Sequence, residues 1–202
     1  VHINEMQGNP FMLDVNYRGY TASPLLGTPQ GLSVYVDGVR QNQPFGDVVL
    51  WDLIPKAAIS TATLMSGGNP LFGLNTLGGS LAIETKDGRR NPGTFLETGI
   101  GTYGRTSLGL EHGGSNTKGL DWFVTGQWFR ESGWRDDSPS RVGQVFAKVG
   151  WKEGATDVRL SGAYVNNDLV GNGLQQGELL AADRNSVFTK PDHTRSEEHT
   201  SE

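Results

Sequence analysis

Residues able to act on a substrate are few in this chain, and their spacing suits no reaction. Gly99-Ile100-Gly101-Thr102-Tyr103-Gly104 fits the dinucleotide pattern Gly-x-Gly-x-x-Gly, which needs a helix next to aim backbone dipoles at a pyrophosphate. Residues 106–111 alternate like a strand instead, so no nucleotide site is expected. His2, His112, His193 and His199 lack metal-ligand spacing. Asp136-Asp137, beside Arg135 and Ser138, reads as an exposed charged loop rather than a calcium site. No serine, histidine and acid can be argued into a hydrolytic trio. The chain is therefore read as a non-enzyme with no catalytic residues, no metal centre and no cofactor.

What the sequence does specify is backbone shape. The organising stretch is 64–86, where a short apolar strand meets Gly67-Gly68, then Asn69-Pro70, Leu71-Phe72 and Gly73. Gly78-Gly79 permits a tight bend, after which Leu81, Ile83 and Thr85 resume strand spacing. Glycine supplies 29 of 202 residues, about double its ordinary share, which suits twisted, tightly turned β-structure. A net charge of −5 leaves no basic stripe for nucleic acid, so no nucleic-acid partner is expected. The absence of cysteine excludes disulfide scaffolds and thiolate metal sites. No apolar run approaches the ~18 residues of a membrane-spanning helix. The chain opens without a basic start or an apolar core, so no signal peptide is read and the front is expected to be truncated.

In the first part, alternation predicts a strand over 12–20 and a loop over 21–31. A second strand is predicted over 32–36, turned by the hairpin signal Asp37-Gly38. A polar loop follows at 41–47, then a helical turn within 48–54 stopped by Pro55, and a strand-leaning segment over 57–65.

Five motifs stand in order here: Arg18-Gly19-Tyr20; Val34-Tyr35-Val36-Asp37-Gly38-Val39; Asp52-Leu53-Ile54-Pro55; Gly67…Asn69-Pro70-Leu71-Phe72-Gly73; and Gly78-Gly79-Ser80-Leu81-Ala82-Ile83-Glu84-Thr85-Lys86. Over residues 10–87 their order and spacing resemble the plug domain of TonB-dependent outer-membrane receptors. Arg18, Gly19, Tyr20, Asp37, Gly38, Gly67, Gly73, Gly78, Gly79 and Thr85 carry the motifs and are read as structural. The family's acidic residue and Arg-Gly-Pro near the end of the preceding strand are replaced by Ser60, Thr61, Ala62 and Thr63, then Ser66-Gly67-Gly68. Plug-to-barrel salt bridges made by those charges in relatives are not carried over.

After Asp87-Gly88-Arg89-Arg90-Asn91-Pro92-Gly93 the texture becomes a run of roughly ten-residue alternating segments, the pattern of a transmembrane β-barrel. Strands are predicted over 94–101, 103–112, 120–131, 141–152 and 156–167. Val145, Ala147, Val149 and Trp151 share one face, and Gln144, Lys148 and Gly150 the other. Val158, Leu160, Gly162 and Tyr164 likewise oppose Asp157, Arg159 and Ser161, and Leu108 and Leu110 oppose Arg105, Ser107 and Glu111. The apolar faces are expected to meet lipid and the polar faces a wet lumen. Trp122, Trp128, Trp134, Trp151, Tyr103 and Tyr164 lie near strand ends, where amphipathic rings suit the headgroup level. A soluble β-sandwich would alternate equally well; the plug motifs decide for the barrel.

The expected architecture is a mixed plug, a small β-sheet with short helices, followed by the first antiparallel strands of an incomplete barrel. Its divisions are plug 1–87, linker 88–93, about five strands in 94–194, and an adapter-like, non-native tail at 195–202. Five strands cannot enclose a plug, since large transporter barrels have ~22, so the piece is not expected to be stable alone. The resemblance implies an outer-membrane importer of a ferric siderophore, cobalamin or an oligosaccharide. It implies the bilayer and an inner-membrane energy-transducing protein of the TonB class as partners. It also puts ligand contacts on the plug apex loops, where Gln30, Asn42, Gln43, Phe45 and Asp47 are the candidates. The alternative is a soluble or surface-attached β-rich binding module without transport.

Overall fold

A left-handed turn shapes the first sheet. Arg18 and Gly19 take φ of 53° and 84°, the positive pair of a two-residue hairpin turn whose twist matches its strands. The predicted strand over 12–20 is therefore two strands in the computed structural model, which describes residues 1–6, 9–67, 73, 75–173, 175–188 and 192–201. β1 (His2–Glu5), β2 (Leu13–Tyr17) and β3 (Tyr20–Ala22) form an antiparallel sheet in that order. The chain divides into two compact units, Val1–Ile54 with Ile59–Thr85, and Pro55–Ala58 with Lys86–Glu202.

In the first unit, β4 (Leu32–Val36) turns at Asp37-Gly38, with φ of 48° and 92°, into β5 (Val39–Arg40). β6 (Ile59–Ser66) and β7 (Gly79–Thr85) complete a sheet ordered β5-β4-β7-β6. β4 and β7 run parallel, from Leu32↔Gly79 to Val36↔Ile83. Val15, Ala22, Leu32, Val34, Val49, Trp51, Ile54 and Ile83 make the core. The helical turn expected before Pro55 is a 3-10 turn at Trp51–Leu53, and the Trp51 indole N–H donates to the Ala22 carbonyl at 3.0 Å.

These contacts explain why the motif residues occur together. A Cβ on Gly31 or Gly78 would stand 2.4 or 2.7 Å from the Tyr20 side chain, so the two glycines clamp that ring. Gly79, at φ 139°, would place a Cβ 2.4 Å from the Met65 carbonyl oxygen on β6. The Asp37 carboxylate accepts from the Thr85 backbone N–H at 2.9 Å and from its hydroxyl, tying the hairpin turn to the end of β7. Asp37→Ala removes the acceptor of both bonds at the buried Thr85. It is expected to lower plug stability by about 2 kcal/mol, read as a shift in the denaturant midpoint with unchanged slope. The segments read at Asn69-Pro70 and Leu71-Phe72 lie outside the described residues.

The second unit is an antiparallel meander. β8 (Gly93–Ile100), β9 (Thr106–Ser115), β10 (Leu120–Glu131), β11 (Ser140–Glu153), β12 (Thr156–Gly171) and β13 (Asp192–Ser201) are hydrogen-bonded in sequence order. The last strand covers part of the segment read as an adapter-like tail. β13 pairs with residues 162–171 of β12, so among the described residues β13 and β8 are the edge strands of this sheet. Connections differ at the two ends of the sheet: 116–119 and 154–155 at one, 101–105, 132–139 and 172–191 at the other. Short turns at one end and longer loops at the other are the habit of outer-membrane barrels. A short helix α1 (Gly177–Ala182) lies in the longest connection. No helix among the described residues is long and apolar enough to cross a membrane, which says nothing of a barrel.

The outward face of this sheet exposes apolar side chains, and the inward face buries polar ones beside Phe123, Phe146 and Val165. Outward Val149 and Leu160 are 44% and 62% exposed, while inward Gln144 and Lys148 are 1% and 6% exposed. From the short-turn end, the register stacks outward rows Leu120–Trp151–Val158, Trp122–Val149–Leu160, Val124–Ala147–Gly162, Leu110–Gly126–Val145–Tyr164 and Leu108–Trp128–Gly143. Leu120 to Trp128 spans about 26 Å along the strand, on the scale of the ~25 Å apolar band of outer-membrane barrels. Trp151 and Trp128 bracket the band.

Residues 86–92 are not a free tether in this unit. The Asp87 carboxylate accepts the backbone N–H groups of Arg89 and Arg90 at 3.0 and 2.8 Å. A Cβ on Gly88 would meet the carbonyl oxygens of Gly114 and Trp122 at 2.2 Å. The Lys86 backbone N–H donates to the Ala58 carbonyl at 2.7 Å, and Ala58 packs with Phe123 and Phe146.

Candidate functional site

The apex loops of the first unit are built from β3, β4 and the glycine-rich run before β7. The Gln30 side chain accepts from the Ser23 N–H and donates to the Ser23 and Leu25 carbonyls at 3.2 Å and to the Thr28 hydroxyl at 2.9 Å. It staples the loop 21–30 from within. Asn42, buried, accepts from the Val34 N–H at 2.7 Å and donates to the Leu32 and Asp47 carbonyls at 3.0 and 3.2 Å. Asp47, left-handed at φ 54°, pairs with Arg40 at 2.9 Å and accepts from the Asn75 amide. Three of the five candidate contacts thus hold the loops in shape.

Neither of the other two is fully buried. Phe45 is 78% exposed, and Gln43 is half-buried, its backbone N–H donating to the Val48 carbonyl at 2.8 Å. Leu26, 60% exposed, joins them, because a Cβ on Gly46 would lie 2.2 Å from its methyl group. The two loops therefore touch and present one mixed apolar and amide surface. Sequence reasoning missed Leu26; an apolar residue among Pro24, Gly27 and Pro29 was the available signal. Such a surface can stack and hydrogen-bond, and it holds no group that could break a bond. Among the described residues no His, Cys, Asp and Glu cluster could hold a metal ion.

In the second unit the inward face carries ion pairs. Lys86 meets Glu111 at 2.7 Å and lies 5.9 Å from the Phe123 ring centre. Arg89 meets buried Asp121 at 2.6 Å, and Arg105 meets buried Glu131 at 2.8 Å. Face alternation could locate Glu111 and Arg105 on the sequence, but Lys86 and Arg89 come from the segment before β8, outside the strand pattern.

A mixed sheet shaped by glycine clamps is followed by a meander whose outward face is apolar and whose inward face buries charged and amide groups beside Phe123, Phe146 and Val165, the element order of a plug and the first strands of a barrel. No family model matches the chain. The ferric aerobactin receptor of Klebsiella pneumoniae is 31% identical over 169 residues, which is 83% of this chain and 20% of that receptor. The chain thus spans about a fifth of the length of that curated relative. Among solved structures, the outer-membrane ferripyoverdine receptor of Pseudomonas aeruginosa matches with a TM-score of 0.61 at 13% identity, covering 82% of this chain and 22% of that one. The siderophore receptor PiuA of Acinetobacter baumannii matches at 0.61 and 19%, covering 83% and 22%. The FrpB iron transporter of Neisseria meningitidis matches at 0.63 and 17%, covering 86% and 29%. At these identities the structures share the fold. Together with the curated relative they support a TonB-dependent receptor fragment, comprising plug and incomplete barrel.

Proposed function

We propose that the protein containing this chain is an outer-membrane importer that takes up a ferric chelate through a plugged barrel. Residues 1–87 serve as the plug part, 88–93 as the connection and 94–194 as the first barrel strands. The observation that carries the reading is the face pattern, with Val149 and Leu160 outside and Gln144 and Lys148 inside. A soluble module would bury the first pair. Iron chelates are favoured over cobalamin or an oligosaccharide because the named relatives are siderophore and iron receptors. Transport requires selective binding and a plug of modest local stability. Energy is supplied in the whole protein by an inner-membrane partner of the TonB class.

Within this reading, Phe45 and Gln43 touch the ligand, while Gln30, Asn42 and Asp47 hold the two loops in place. The test is uptake of radioactive iron, presented as a panel of ferric siderophores, in cells with the gene intact, deleted or carrying Phe45→Ala. Deletion is expected to abolish uptake of one siderophore class. Phe45→Ala is expected to weaken binding of that siderophore about tenfold, as loss of an aromatic anchor does, with plug stability unchanged because the ring is exposed. Uptake unaffected by deletion for every iron source overturns the assignment.

A further inference from the structure

We propose that Arg130 and Arg141 form a docking point for the phosphate of a membrane-lipid headgroup on the outward face of the sheet. The two are direct cross-strand partners on β10 and β11, both exposed, so their side chains leave the same face side by side. Directly opposed Cβ atoms lie about 5 Å apart, and like charges so placed repel. Neither arginine has an ion-pair partner among the described residues. Asp168, in register with Arg141 on β12, forms no ion pair with it, and the row keeps a net positive charge. Two adjacent guanidinium forks match the oxygens of one phosphate, which relieves the repulsion.

The position of the pair selects the source of that phosphate. The arginine row directly follows the row of Leu108 and Trp128, which are 47% and 48% exposed. It therefore sits where the apolar band ends, at the end of the sheet with the longer loops. A molecule bridging the two rows has an anionic head at the arginines and hydrocarbon against Leu108 and Trp128. A phosphorylated lipid meets both demands, whereas free phosphate meets only the first.

The proposal rests on the reading of this sheet as a lipid-facing barrel wall. The test uses the full-length receptor in detergent micelles, with native mass spectrometry measuring bound bis-phosphorylated lipid A, the same lipid stripped of its phosphates, and inorganic phosphate as competitor. Arg130→Gln with Arg141→Gln is expected to weaken lipid A binding about thirtyfold, the combined effect of two arginines at an anionic surface. Binding of the phosphate-free lipid should not change, and Arg130→Lys with Arg141→Lys, which keeps the charge without the fork, should recover only part of the loss. Heat-modifiable gel mobility reports that each variant has folded. Equal lipid A affinity in wild type and the glutamine variant overturns the proposal. Displacement of lipid A by millimolar inorganic phosphate overturns the lipid assignment in favour of a free-anion site. A wild-type receptor that does not fractionate with the outer membrane fails the barrel reading itself.

Discussion

Val124→Arg is expected to destabilise the membrane-inserted receptor by about 2–4 kcal/mol, the cost of an arginine on the lipid face at midplane. Val124 lies in the middle outward row, between His112 on β9 and Ala147 on β11, and is 41% exposed. The same change at Thr106, in the arginine row at the edge of the band, should cost about 0–1 kcal/mol because the charge reaches headgroups and water. Reversible urea unfolding of the full-length receptor in lipid vesicles measures the difference. In a soluble sandwich an exposed valine tolerates arginine within about 0.5 kcal/mol. Equal small effects at both positions would therefore reject a lipid-facing wall.

Gly79→Ala is expected to disrupt the plug more than any other single methyl addition in the first unit. Backbone at φ 139° is costly for an L-residue, by about 1–3 kcal/mol, and the new Cβ also lands 2.4 Å from the Met65 carbonyl oxygen. That oxygen is backbone of β6, so relief requires the β6–β7 pair to part. Gly38→Ala isolates the conformational part: Gly38 has φ 92°, but no atom stands within 4 Å of the place its methyl group would occupy. It should cost about 1–2 kcal/mol, clearly less than Gly79→Ala. Limited proteolysis of the plug in the intact receptor ranks the two, and equal sensitivity would show that the contact with Met65 is easily relieved.

The faces of the barrel strands were legible because strand side chains alternate with a period of two, and one face of each strand carries most of the charge. The Asp37-Gly38 turn was legible for a similar reason, since its residue types match a known turn. Arg18-Gly19 was not, because arginine gives no local signal for a left-handed conformation, and alternation ran through it. The Tyr20 clamp was hidden by distance: its glycines stand at positions 31 and 78, and only the folded chain brings them to one ring. At the apex, residue type could not separate amides left on the surface from amides that hold a loop. Gln30 and Asn42 look alike as donors and acceptors, yet both are committed to the protein's own backbone. Phe45 stood out as a large ring in a polar loop, and its exposure is a property of the folded turn.

The parallel pairing of β4 with β7 has a kinetic consequence. Each strand of the second unit pairs with its immediate predecessor, so that sheet can zip one hairpin at a time. β4 must instead wait until Gly79–Thr85 has emerged and returned to it, closing a long loop before any pairing energy is gained. The first unit should accordingly be the slower of the two to mature. During that interval the apolar side chains of β4 that β7 will cover stay open to water.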